Sequence, residues 1–385
     1  MFDRTIEKEV EKIKNEIIEW RRYFHMYPEL GFEEYKTSEK IQKILEENGI
    51  TYEIKGKTGV VGFINKNSKK TIGIRADMDA LPVEEETGLK FSSRNKGIMH
   101  ACGHDGHMAT VLGLGKILVK FKDYLKCNVK LIFQPCEEKP PGGACALIKE
   151  GVLEDTNYLI GFHFFPYLPI YKIYIEKGIV MANTDRFRII IEGKGGHASS
   201  PHLTNDPVVC SSYIITGLQT IISRRINILE EPSVISVCKI RCGNAFNIIP
   251  EKVEIEGTVR TLSEKVRKKI KNEMKNISKK IADSFNCKVD FIYDNYSPSV
   301  KNDYKLTKKI EELTKEILPS KYLYKFHPVM GGEDFAFYTQ IVPSTYIFIG
   351  IGKECGVHHS SKYNLDERVL PFAVKYFSQL ILNLD

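Results

Sequence analysis

Hydrophobic positions along this chain alternate between two periods, and the switches mark its elements. Over residues 7–24, Val10, Ile13, Ile17 and Trp20 recur at the three- and four-residue spacing of a helix face, as do the apolar positions of 37–47. Short apolar runs at 60–64 and 71–75, bounded by Gly, Asn and Ser, predict strands. Residues 108–120 read as a helix, and 128–134 and 158–164 as further strands. Helices set between short buried strands predict an α/β domain with a largely parallel, mixed sheet flanked by helices.

The middle of the chain has a different rhythm. Residues 186–192 alternate as a strand, and 206–224 form a helix that Asp206 caps ahead of Pro207. Strands follow at 233–240 and 253–262, then a helix over 263–285 capped by Ser263, then a strand at 288–293. This β-α-β-β-α-β order is the ferredoxin-like pattern. After Ser297 the chain returns to helix, to an apolar strand at 345–351 and to a last helix from Arg368. The expected organisation is one domain from residues 1–184 and 297–385, interrupted by an inserted α+β domain over 185–296.

Composition narrows the classes. Apolar residues make up 42% of the 385, enough for two cores, and no run approaches the roughly 20 apolar residues needed to cross a bilayer. The charged opening over 7–22 lacks the apolar segment of a secretory leader. Nine scattered cysteines, an odd number, fit reduced thiols and a cytoplasmic setting better than a disulfide framework. The net charge of +7 has its densest basic run at 265–280, on one face of a predicted helix. That reads as a solvated face, with neither nucleic acid nor membrane as partner.

The chemistry gathers where strands end. In open α/β sheets, ligands bind beyond the carboxyl ends of the strands. Asp77 and Asp79 follow the 71–75 strand, Glu137 and Glu138 follow 128–134, His163 closes 158–164, and His358 and His359 follow 345–351. His100-Ala-Cys-Gly-His-Asp-Gly-His107 stands immediately ahead of the 108–120 helix. Each alone has an ordinary explanation: a surface glutamate pair, a core histidine, a small buried thiol. Together they bring carboxylate, imidazole and thiolate to one sheet edge, a donor set that suits zinc and admits manganese, cobalt or nickel. The donors exceed one tetrahedral site, so two divalent ions sharing a bridging group are expected. One glutamate of the pair then binds metal while its neighbour acts as general base.

These residues fall into motifs. Arg75-Ala-Asp-Met-Asp-Ala-Leu-Pro82, the 100–107 segment, Phe133-Gln-Pro-Cys-Glu-Glu138, Gly195-Gly-His-Ala-Ser199, Gly331-Gly-Glu-Asp-Phe335 and His359-Ser-Ser-Lys-Tyr363 resemble the aminoacylase and carboxypeptidase family of dinuclear metallohydrolases. The nearest branch is the amidohydrolases of N-acyl amino acids, hippurate and indole-acetyl amino acids. The resemblance spans nearly the whole chain in order. It implies Cys102, His104, Glu138, His163 and His359 as metal ligands and Glu137 as general base toward a metal-held hydroxide. His359 is preferred to His358 because the family motif places an aromatic residue four positions on, here Tyr363. Cys136 stands where the family usually has Ala, and Ser361 where it has Pro. In the insertion the resemblance singles out His197, Asn247 and Arg260, donor types suited to an oxyanion and a substrate carboxylate. It also implies a homodimer formed through the insertion, in which His197 serves the partner's site. Asp77 and Asp79 are expected behind the ligands, accepting the free N–H of a ligand imidazole.

The expected reaction is cleavage of the amide of an N-acetyl, N-benzoyl or aryl-acetyl amino acid. An N-acetyl-diaminopimelate deacetylase or a metallo-carboxypeptidase is the alternative of the same type. A nucleobase deaminase is excluded because its Pro-Cys-x-x-Cys element is missing. A catalytically dead binding scaffold would have lost the base or a ligand, and all are present.

Overall fold

The computed structural model describes residues 2–384, which form two compact units. The first comprises the chain up to Gly178, then Lys301–His327, then the chain from Asp334 onward; the second is Ile179–Val300 with Pro328–Glu333. The last short segment has no counterpart in the sequence reading. It joins the second unit through backbone bonds from Val329 to Val180 (3.0 Å) and from Ala182 to Gly331 (3.0 Å).

In the first unit a seven-stranded sheet runs in the order Thr51–Lys55, Gly59–Ile64, Asn128–Gln134, Thr71–Asp77, Tyr158–Phe165, Ser344–Gly350, Ile173–Tyr174. The four strands from Asn128–Gln134 to Ser344–Gly350 are mutually parallel, and the outer pairings are antiparallel. All seven residues of Thr71–Asp77 are buried, as a parallel strand covered on both faces must be. The covering helices include Phe2–Met26, His104–Lys120 and Val369–Asn383. Their apolar stripes, among them Ile17 and Phe24 of the first and Val374 and Phe377 of the last, join the sheet in one core.

The second unit holds a four-stranded antiparallel sheet in the order Ser233–Cys242, Lys252–Thr261, Asn183–Glu192, Lys288–Ser297. With the helices Pro207–Arg225 and Glu264–Ser284 it has the ferredoxin-like arrangement. Phe187, Ile189 and Ile191 meet Ile214, Leu218, Ile270 and Met274 in its core. Both helix caps are formed: Asp206 accepts from Val208 N (2.7 Å) and Val209 N (3.2 Å), and Ser263 Oγ accepts from Val266 N (3.2 Å).

Two elements differ from the sequence reading in ways that matter for the site. The strand from Thr71 continues to Asp77, and the helix expected from 108 begins at His104. Gly103 is left-handed (φ +87°) and turns the chain directly into that helix, so polar residues occupy its first turn before the apolar period starts. The short elements Thr51–Lys55 and Gly143–Lys149 carry too little pattern to be read from sequence. No helix among the described residues is long and apolar enough to cross a membrane.

Candidate metal centre

The parallel strands and the Gly103 turn bring the donors of the first unit together. Cys102, His104 and His163 offer ligand atoms within 4.8 Å of one another, and so do Cys102, Glu138 and His359. The two trios overlap at Cys102. His104, Glu137 and Glu138 form a third such group. Cys102 Sγ lies 3.4 Å from His163 Nε2, and Glu138 Oε1 lies 3.2 Å from His359 Nε2. Of the adjacent histidines, His359 reaches the cluster, held by its N–H to Ala101 O (2.9 Å), whereas His358 Nε2 bonds to Phe164 O (3.0 Å).

Hydrogen bonding at the far nitrogens fixes the tautomers. His104 Nδ1 donates to the backbone carbonyl of Asp79 (2.8 Å) and His163 Nδ1 to that of Phe164 (2.7 Å). Each ring therefore turns an Nε2 lone pair into the cluster, and His104 Nε2 is buried without a hydrogen-bond partner among the described residues. An orphaned imidazole lone pair beside a thiol and a carboxylate is what a borderline divalent cation would satisfy, so the donors present fit such a group. His107 belongs to no such set. It donates from Nδ1 to Asp77 Oδ1 (2.6 Å) and accepts at Nε2 from Phe164 N (3.0 Å), leaving no free lone pair.

Electrostatics agree with this fit. Burial opposes charge on His104, yet Asp77, Asp79 and Glu138 outweigh it and push its pKa up to about 10. Burial, followed by Glu138, Glu137 and Asp77, holds the Cys102 thiol well above its ordinary value. The pocket is short of positive charge, and a cation would relieve both effects.

Asp77 and Asp79 act differently from expectation. Neither carboxylate makes the principal bond to a ligand imidazole, because backbone carbonyls take that place; Asp79 Oδ1 is 3.4 Å from His104 Nδ1. Asp77 instead holds His107, and it is itself held by Arg75 Nη1 (2.5 Å). The Asp79 carboxylate points to the next strand end and accepts from Glu137 N (2.9 Å) and Glu138 N (3.0 Å). Glu34 completes that turn by accepting from the N–H of left-handed Cys136 (φ +49°) at 2.8 Å. Asp334 accepts from Arg75 Nη2 (2.9 Å), Gln134 Nε2 (2.7 Å) and Ala144 N (3.0 Å) and donates its own N–H to Glu137 Oε1 (3.4 Å). Arg75, Gln134 and Glu34 were not singled out from sequence. Arg75 and Gln134 lie within the quoted motifs, which was the available signal, whereas Glu34 gave none.

A second buried network lies behind the first turn of the His104–Lys120 helix. Asp105 Oδ2 accepts from Arg21 Nε (2.7 Å) and His25 Nδ1 (2.8 Å), and His25 Nε2 faces Glu85 Oε1 at 3.2 Å. Arg21 and His25 sit on a helix whose sequence signal was only its apolar stripe, so nothing announced them.

The residues singled out in the insertion lie in the second unit. His197 pairs in register with Ile248 in a two-stranded ladder, and Ala198 N bonds to Asn247 O (3.1 Å), so His197 and Asn247 are fixed together. His197 is exposed, with Nδ1 accepting from Ser199 N (3.1 Å). Arg260 lies on Lys252–Thr261 opposite Thr184; its Nη1 and Thr184 Oγ1 are both buried without a hydrogen-bond partner among the described residues. Both border Gly332, where an added Cβ would lie 1.9 Å from Thr184 Oγ1 and 3.2 Å from Arg260 Nη1.

Comparison with known proteins follows the same lines. The model of Peptidase family M20/M25/M40 matches residues 73–383. The chain is 41% identical over 378 residues to thermostable carboxypeptidase 1 of Saccharolobus solfataricus, covering 94% of this chain and 95% of that one. It is 38% identical over 369 residues to an N-acetylcysteine deacetylase of Bacillus subtilis, with 94% and 95% covered. A crystal structure described as a dinuclear metal binding peptidase, also from Bacillus subtilis, superposes with a TM-score of 0.85 at 34% identity, covering 97% of this chain and 98% of that one.

The Asp105–His25–Glu85 arrangement predicts a pH-dependent contribution to stability. Burial and the neighbouring Arg21 oppose charge on His25, but the two carboxylates prevail and raise its pKa above the ordinary 6.5. Arg21, Asp105, Glu85 and the edge of Phe91 are the groups that face it. A raised histidine pKa stabilises the fold fully below the unfolded value of about 6.5, and this is lost as pH rises through the folded value. His25→Gln should therefore lower the Tm most at pH 5–6 and progressively less toward alkaline pH. A Tm difference that is flat with pH would show that His25 is neutral in the fold.

Proposed function

Since this chain belongs to Peptidase family M20/M25/M40, we propose that it is a metal-dependent hydrolase that cleaves the amide of an N-acylated amino acid to a carboxylic acid and the free amino acid. The observation that carries this reading is the pair of donor trios overlapping at Cys102, beside a glutamate pair whose backbone is clamped by Asp79. Cys102, His104, Glu138, His163 and His359 would hold two divalent ions, with Cys102 shared. When bound, such ions supply Lewis-acid polarisation of the scissile carbonyl and make nearby water more acidic.

The chain's own groups do the rest. Glu137 takes the proton of the attacking water and returns it to the departing nitrogen. The Asp79 clamp on its N–H and the Asp334 N–H at its Oε1 keep the carboxylate aimed. His197 donates to the carbonyl oxygen as negative charge develops there, with Asn247 beside it. Arg260, with its unpartnered buried Nη1, takes the α-carboxylate of the substrate. A peptide with a free carboxyl end carries the same amide next to the same carboxylate. The 41% identity to a named carboxypeptidase therefore favours metallo-carboxypeptidase activity as the second reading.

A homodimer through the second unit belongs to the same proposal. The strand Ser233–Cys242 is an edge of its sheet, and exposed apolar residues of this unit include Tyr213 (59%), Ile240 (52%), Ile248 (57%) and Phe246 (100%). An unpaired strand edge beside exposed apolar side chains suits pairing with a copy of itself.

Chelation should abolish amide hydrolysis, and zinc, manganese, cobalt or nickel should restore it, with N-acetyl, N-benzoyl or indole-acetyl amino acids hydrolysed faster than dipeptides. Full activity in exhaustively metal-stripped protein would overturn the proposal, and a preference for dipeptides would select the second reading.

Glu137→Gln should keep its metal content and lose about 10²–10⁴ in kcat, the range of a general base. Glu138→Gln should lose metal. The opposite pattern would exchange the two roles.

Mixing inactive His197→Ala and Glu137→Gln proteins after reversible dissociation should recover about a quarter of wild-type activity if His197 acts on the partner's site. Half the dimers are then mixed, and each has one intact site. No recovery despite verified subunit exchange would place His197 in its own subunit's site.

A further inference from the structure

The hydroxyl of Tyr363 is buried and has no hydrogen-bond partner among the described residues. It packs against the backbone between two of the proposed ligands: a Cβ added at Gly103, which separates Cys102 from His104, would lie 2.6 Å from the Tyr363 oxygen. The ring cannot easily turn away. Its backbone N–H bonds to Ser360 O (3.1 Å), and the ring lies 5.5 Å from that of His358. A buried phenol normally finds an acceptor, since an unmade bond forfeits its hydration.

The neighbouring groups leave one candidate. The charges that act on Tyr363 are those of Cys102, Asp105, Cys355 and Arg21. The Asp105 carboxylate already accepts from Arg21, His25 and Gly106 N. Cys355 Sγ is engaged with Ile351 O at 3.2 Å, and a guanidinium only donates. Cys102 remains. As a thiol its sulfur is a weak acceptor, but as a thiolate it is a strong one.

We propose that Tyr363 is a positioning residue whose hydroxyl donates a hydrogen bond to the sulfur of Cys102 when that sulfur serves as a thiolate ligand. The proposal rests on the reading of Cys102 as a metal ligand. The bond withdraws electron density from the sulfur and holds it between the two donor trios. It gives the tyrosine hydroxyl a function that a phenylalanine ring at this position would lack.

The test is the sulfur-to-cobalt charge-transfer absorption of the protein loaded with cobalt(II). In Tyr363→Phe the two ions should be retained and the band should move to longer wavelength, because a thiolate without its donor gives up electron density more readily. Cobalt should also pass to a competing chelator several-fold faster. Retained cobalt with an unmoved band would overturn the proposal. Should Tyr363→Phe not fold, 3-fluorotyrosine at position 363 keeps the ring and offers a stronger donor. The band should then move to shorter wavelength, and an unmoved band again overturns the proposal. The Cys102 reading fails separately, if wild-type protein shows no such band or if Cys102→Ser keeps it.

Discussion

Negative charge buried at the end of a parallel sheet is the constraint to which the rest of the first unit answers. Asp77 and Asp79 are almost wholly out of water, Glu137 and Glu138 are half-buried beside them, and Cys102 joins them with 8% of its surface exposed. Isolated carboxylates in such a place would take up protons rather than stay ionised. Arg75 answers part of the demand: its guanidinium contacts Asp77, Gln134 and Asp334 from a strand with no exposed position. His104 and His107 answer more, and with Arg75 they hold the Asp77 carboxyl well below the usual carboxylate range against the pull of burial. What remains is concentrated around Cys102 and Glu138, where the described side chains supply imidazole lone pairs instead of positive charge.

The parts of this arrangement that are local in sequence are legible there. Val10, Ile17 and Phe24 announce a helix by spacing alone, and Asp206 and Ser263 announce helix starts because a cap is a bond between near neighbours. The donor residues are legible as types at strand ends, because strand ends of a parallel sheet converge whatever the side chains. Their partners are not. Arg21 meets Asp105 across 84 positions and Gln134 meets Asp334 across 200, and nothing in one sequence pairs them. The start of the His104–Lys120 helix was displaced for a related reason: its first turn is filled by ligand and network residues, so the apolar period used to detect it begins a turn late.

The roles of Asp77 and Asp79 show where reasoning from residue type stops. A carboxylate near a ligand histidine suggests a carboxylate–imidazole pair. Here the imidazoles of His104 and His163 are oriented by peptide carbonyls, which cannot be protonated near neutral pH and are fixed by the backbone. That choice releases the Asp79 side chain to bind the two N–H groups of the glutamate pair, while its carbonyl binds His104. One residue therefore ties a donor on the Gly103 turn to the proposed base and ligand on the adjacent strand end. Asp77, two residues back, ties His107 to Arg75. The positions of Glu137, Glu138 and His104 are thus referred to a single buried strand and the three residues that extend from its end. An error in that strand's register would displace all of them together. This is why the fully buried, mutually parallel pairing on both sides of Thr71–Asp77 matters more to the chemistry than any one side chain at its tip.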